Sequence, residues 1–185
     1  KWFKDNFYIN GSFKEIDSEA GKIPLGSEGL IFLPYLTGST MPKYNADIRG
    51  VFLGIELKHQ RAHFAKSIME AVACQLRQFI EHIGIDVREI RSIGGGAKSG
   101  LWCQIKADIA NVNITTLQCS ETACLGTAVF GFKGLGLYSD IESALERAVK
   151  KNNTYKPAGG IAAKELYKKF IETDNLINIQ EGING

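Results

Sequence analysis

Long hydrophobic runs are missing from this sequence. The longest, such as GLIFLPYL, fall well short of the ~20 apolar residues that a bilayer-spanning helix needs, so no membrane span is expected. An excess of either charge is missing too. The 22 Lys and Arg are set against 20 Asp and Glu, a formal charge of +2, and the basic residues are scattered. No aromatic-interleaved basic stripe exists to mark a nucleic-acid partner. Cysteine is scarce: Cys74, Cys103, Cys119 and Cys124 form no CxxC pair, and no histidine neighbours Cys119 and Cys124 to complete a zinc set. Three of the four sit in apolar contexts, which favours reduced, buried thiols and a cytoplasmic protein over disulfides. A start signal is lacking as well. The opening KWFKDNFYIN has no initiator Met and no basic-then-apolar layout, and reads as the middle of a longer polypeptide.

What remains is ordinary globular material, 44% hydrophobic and 23% charged over 185 residues, enough for one domain with a real core. The boundary is drawn at residues 1–175, with 176–185 as a frayed tail. Short amphipathic helices are expected in WFKDNFY and SFKEIDSEA, split by Asn10-Gly11. GLIFLPYL reads as a short strand stopped by Pro34, residues 38–50 as a polar loop, and GVFLGIE as a second short strand. The clearest helix spans His59 to about His82. Phe64, Ile68, Val72, Leu76 and Ile80 fall four apart there, and Lys66 and Glu70 take other faces. EIRSIGG is a strand, SGLWCQIKADIA a helix, NITTL a strand, and ETACLGTAVFGFKGLG a small-residue helix that Ser120 is placed to cap. Ser139 and Glu142 form a capping box opening DIESALERAVK, NTYKPAGG breaks the chain, and AAKELYKKFIETDNL makes a last helix. Strands alternating with helices indicate an α/β or α+β domain.

The chemistry concentrates in RSIGGGAKSGLW. A Walker A loop is excluded because Ala97 stands where a glycine must precede Lys98-Ser99. The dinucleotide fingerprint is excluded because Gly94 and Gly96 would require glycine at 99, which is Ser99. A strand, a glycine turn and a helix opening near Ser99 remain. Glycines admit a ligand close to the backbone, and the helix start offers unpaired N–H groups and a positive dipole end to a phosphate. Lys98 is a candidate point charge that could equally face solvent. A tight turn that binds nothing is the plain alternative.

Three other candidates carry less. His59 and His63 share a helix face but have no third ligand at useful spacing, with Arg61 and Lys66 adding positive charge nearby, so a structural role is expected. Asp47 and Arg49, in the polar loop, could form an ion pair or border a cleft, with solvation the default. Glu121, in the first turn of its helix, is a dipole partner.

Taken in order, GLIFLPYLTGSTMPKYNADIRGVFLGI, HQRAHFAKSIMEAVACQLR, IRSIGGGAKSGLWCQIKADIANVNI and ETACLGTAVFGFKGLGLYSDIESAL resemble the C-terminal domain of the FGGY carbohydrate kinases, most closely xylulokinases. The resemblance runs from Trp2 to about Leu166. It implies a ribonuclease H-like domain of the actin, sugar kinase and Hsp70 superfamily, a mixed sheet flanked by helices. It implies ATP, with Mg²⁺, as phosphoryl donor and D-xylulose as acceptor in the intact enzyme. GGGAKS matches the family's adenosine motif. Gly95, Gly96 and Ala97 would contribute backbone N–H contacts near the phosphates, Gly94 would belong to the same nucleotide site, and Ser99 and Gly100 would border the adenosine. Ala123, Gly126 and Ala128 match the connecting helix at an interdomain hinge. The family's catalytic Asp and most sugar contacts would precede Lys1, so the fragment alone is expected to be inactive.

Two departures stand out. Ser39-Thr40 replaces a common acidic-basic pair, and Gly100 stands where many xylulokinase-like enzymes carry Pro or Asp. A non-catalytic actin-like module for ligand sensing or assembly is the alternative, as is a nucleotide-binding α/β domain of unrelated reaction. Self-association into a homodimer is left open.

Overall fold

The computed structural model describes residues 1–40, 44–119 and 121–182. Two short helices, α1 (Trp2–Phe7) and α2 (Phe13–Ala20), open the chain, with Asn10 at φ 63° in the turn between them. The Ser12 side chain accepts the Glu15 N–H at 3.1 Å and starts α2. β1 (Ile31–Leu33) and β2 (Val51–Leu53) pair antiparallel, with Ile31 opposite Leu53. Pro34 follows β1, where it withholds no ladder hydrogen bond.

α3 (Arg61–Ile83) is the long central helix, ended by Gly84 at φ 70°. Its burial corrects the stripe read from sequence. Phe64, Ile68, Val72, Leu76 and Ile80 are only partly buried, while Lys66, Glu70 and Gln78 are buried. α3 packs against α2, α4 (Gly100–Ala110), α7 (Gly160–Gly182) and β1 at once, so the turn-by-turn apolar stripe is not its most covered face.

β3 (Glu89–Ser92) lies parallel to β4 (Asn113–Leu117), and α4 crosses between them. β5 (Lys151–Tyr155) pairs antiparallel on the far side of β4, giving a mixed sheet of order β3-β4-β5 with helices against it. β5 was not expected. Its sequence KNNTY is polar because the strand is an edge with most side chains exposed, and Thr154 meets Thr115 hydroxyl to hydroxyl at 3.0 Å. Between β4 and β5 stand α5 (Thr122–Gly134) and α6 (Ile141–Ala148).

Local expectations change at several points. The cap of α6 is Asp140, which accepts the Ser143 N–H at 2.7 Å; Ser139 sits one residue earlier and donates its hydroxyl to Asp140. The N-cap of α5 is Glu121, and Ser120, expected to cap it, lies outside the described residues. Cys74 and Cys103 are buried, but Cys119 is only partly buried and Cys124 is exposed. The last helix runs on through Gly182, past the boundary drawn at 175.

The larger core gathers Phe3 and Tyr8 from α1 and its end, Leu33 from β1, Ile48 from the loop before β2, Met69 from α3 and Phe170 from α7. A smaller one, with Cys103, Ala107 and Ile114, lies between α4 and the sheet. Among the described residues no helix is long and apolar enough to cross a membrane.

Candidate functional site

The turn between β3 and α4 is where the backbone departs from regular structure. Gly94 sits at φ 73°, ψ −161°, a conformation that residues with a Cβ rarely adopt, so the fold itself asks for glycine there. Gly95–Lys98 form a single 3₁₀ turn, in which the Ala97 N–H donates to the Gly94 carbonyl at 3.2 Å. Ser99 ends the turn and caps α4. Its hydroxyl accepts the Trp102 N–H at 3.0 Å and its carbonyl accepts the Cys103 N–H at 3.0 Å. Gly100 is the first residue of α4, where a Cβ would stand 3.2 Å from the Tyr155 hydroxyl. Gly94, Gly95, Gly96, Ala97, Ser99 and Gly100 therefore make one continuous turn and helix start beyond the C-terminal end of β3.

The two sides of this turn differ. Its underside is supported by α4. The Trp102 ring lies under Gly96, 3.2 Å from where a Cβ would be, and its indole N–H donates to the Met69 carbonyl at 3.1 Å. The Cys103 thiol donates weakly to the Gly96 and Ala97 carbonyls, at 3.7 and 3.8 Å. Burial pushes that thiol's pKa up, so Cys103 is a protonated support and not a nucleophile.

The outer side is open. Gly95 is exposed, has no positive φ, and a Cβ on it would meet nothing within 4 Å. The N–H groups of Gly95 and Gly96 precede the first bond of the turn and have no acceptor among the described residues. With the positive end of the α4 dipole beside them, they form a surface suited to an anion. Lys98 is exposed at the rim.

Sequence reading missed what lies beneath. Lys106 places its ammonium 4.5 Å from the centre of the Trp102 ring and 3.4 Å from the Cβ position of Gly96. The i, i+4 aromatic and cation of WCQIK were visible in sequence, but nothing there tied them to the glycines.

The other candidates are brought elsewhere. His59 Nδ1 accepts the Glu56 N–H at 2.9 Å and His63 Nδ1 accepts the Gln60 N–H at 3.1 Å, so both rings serve the start of α3. Among the described residues no group of three or more His, Cys, Asp or Glu is placed to hold a metal ion. Arg49 donates to the Ala46 and Ile48 carbonyls, at 2.7 and 2.9 Å, instead of pairing with Asp47. Glu121 immediately precedes α5, without a capping hydrogen bond from its side chain.

Residues 9–135, well over half of the chain, match the model of the FGGY family of carbohydrate kinases, C-terminal domain. This chain belongs to that family. The FGGY domain is 40% identical over 172 residues to a xylulose kinase of Staphylococcus epidermidis, an alignment covering 91% of this chain and 34% of the relative. A glycerol kinase of Myxococcus xanthus is 30% identical over 171 residues, covering 90% of this chain and 34% of the relative. The crystal structure of ligand-bound xylulose kinase from Lactobacillus acidophilus superposes with a TM-score of 0.84 at 26% identity, covering all of this chain and 38% of that one. The FGGY domain thus spans about a third of the length of the curated relatives it matches.

Proposed function

We propose that this FGGY domain is the nucleotide-side domain of an ATP-dependent carbohydrate kinase, with D-xylulose as the acceptor and D-xylulose 5-phosphate as the product. The observation that carries the reading is Gly95. Its φ is not in the left-handed region and the space where a Cβ would stand is open, so nothing in the fold among the described residues asks for glycine. Close approach of a ligand to the backbone is the remaining reason for it. The unpaired Gly95 and Gly96 N–H groups would receive a phosphate, Ala97 would follow the same contour, and Ser99 and Gly100 would border the adenosine. The helix dipole of α4 would favour the negative charge there. ATP supplies the phosphoryl group.

Xylulose is favoured over glycerol because the xylulose kinase relative is the more similar, 40% against 30% identical. A mixed sheet with crossing helices, superposing on a sugar kinase, supports a ribonuclease H-like domain of the actin, sugar kinase and Hsp70 type. The acidic general base that would take the hydroxyl proton is assigned to sequence outside this chain. Among the described residues no group of three or more His, Cys, Asp or Glu is placed to hold Mg²⁺.

The test is Gly95→Ala in the protein at full length, assayed with ATP against xylulose, glycerol and gluconate. An alanine fits the empty space and is expected to leave the thermal midpoint within a few degrees, while the KM for ATP rises about tenfold or more. A KM for ATP that stays unchanged removes the turn from the nucleotide site. A protein that phosphorylates none of the three sugars leaves the non-catalytic sensing or assembly module as the better reading.

A further inference from the structure

Lys106 has no part in the fold that explains its charge. Its ammonium lies under the glycine turn, against Gly96 and over the Trp102 ring, and no carboxylate pairs with it among the described residues. Burial holds its pKa below the usual lysine value, which shows that removal from water is not repaid by an acidic partner. The neighbouring space adds to this. A cavity of about 350 Å³ opens between α3 and β3, with apolar walls from Val72, Leu76, Phe79 and Ile90, and Lys106 and Arg91 bring its charge. Both charged groups bordering it are thus positive, and it lies beside the turn whose outer N–H groups are unfilled.

An apolar side chain at position 106 would cover Trp102 and these walls at no desolvation cost, so packing does not account for a lysine. The cation–π contact with Trp102 offsets part of that desolvation cost, but it does not call for a cation where an apolar side chain would pack without one. Lys98, the cation within the motif itself, is exposed and screened by solvent, whereas a half-buried charge acts through a lower effective dielectric.

We propose that Lys106 is a positioning residue for the nucleotide phosphates, supplying from beneath the glycine turn the positive charge that the backbone N–H groups present from above. Its ligand class is a nucleoside di- or triphosphate, and the contribution is to the phosphates and not to the nucleoside. The inference rests on the nucleotide reading of the turn and goes beyond it, because Lys106 lies outside the glycine motif.

The test compares wild type, Lys106→Met and Lys106→Arg in the protein at full length, with ADP and adenosine titrated calorimetrically into each. Methionine keeps the apolar stem over Trp102 and removes only the charge. The expected result is ADP binding about tenfold weaker in Lys106→Met, unchanged adenosine binding, and near-wild-type ADP binding in Lys106→Arg. Equal weakening of ADP and adenosine would mean that Lys106 only packs, and would overturn the proposal. Unaltered ADP binding in Lys106→Met would overturn it as well, while leaving the nucleotide reading intact. Wild-type protein that binds neither ligand would remove the nucleotide reading itself. Thermal midpoints of the three proteins within a few degrees of one another establish that folding is not what was measured.

Discussion

Glu70 carries a buried carboxyl, 2% exposed, in the middle of α3. It accepts the Gly26 N–H at 2.9 Å and the Ser27 hydroxyl at 2.7 Å, and so holds a turn in which Gly26, Ser27, Glu28 and Gly29 all have positive φ. Burial pushes its pKa up from 4.5 to about 7, against the opposing pull of Ser27, Gly26 and the buried Lys66. The folded state therefore holds the Glu70 proton more tightly than the unfolded chain does. The stability this contributes is fully present below pH 4.5 and is lost as pH rises through about 7, as much as about 3 kcal/mol across that window. Glu70→Gln, which can keep both hydrogen bonds, is expected to flatten the fall of thermal midpoint between pH 5 and 7.5. A wild type and variant with parallel pH profiles would show that Glu70 is not the group responsible. At this scale the glycine turn was legible, because Gly94 and Ser99 act through their own backbone and their nearest neighbours. Lys106 and Trp102 were not, since their meaning depends on what the chain folds over them.

Elements were legible where the large apolar residues of the pattern coincide with the buried positions. α4 follows that rule, with Ile105 and Ile109 buried, although it packs against α3, α7 and the sheet together. α3 does not, because neighbours on several sides bury Lys66 and Glu70, which the sequence pattern sets off the apolar stripe. β5 escaped for the opposite reason, its KNNTY sequence being an edge strand with little to bury. The start of α6 shows a finer limit. The pattern S-x-x-E pointed to Ser139, but Asp140 reaches the Ser143 N–H and an ionised cap also favours the dipole. Hydrogen bonds hold the Asp140 carboxyl below its ordinary pKa. Asp140→Ala is expected to speed amide exchange confined to Ile141–Ala148 several-fold, and Ser139→Ala much less. Equal effects of the two changes would return the cap to Ser139.

At the scale of the molecule, α5 is a helix without a cover. Of its residues only Val129 is buried, while Phe130 at 65% and Leu135 and Leu137 beyond its end are exposed. A patch of this kind favours association. The 185-residue chain by itself is expected to show a concentration-dependent increase in sedimentation coefficient, and the paired change Phe130→Ser and Leu137→Ser to abolish it. Unaltered sedimentation in that variant would place the contact elsewhere.

The central claim concerns the turn, one element of a domain that spans about a third of its relatives. Titration of ADP into ¹⁵N-glycine-labelled protein at full length tests it directly, since the amides of Gly95 and Gly96 are the proposed ligands. The account predicts that these two resonances shift in proportion to occupancy, ahead of Gly84 and Gly136, which lie outside the turn. Saturable ADP binding that leaves Gly95 and Gly96 in place would contradict it.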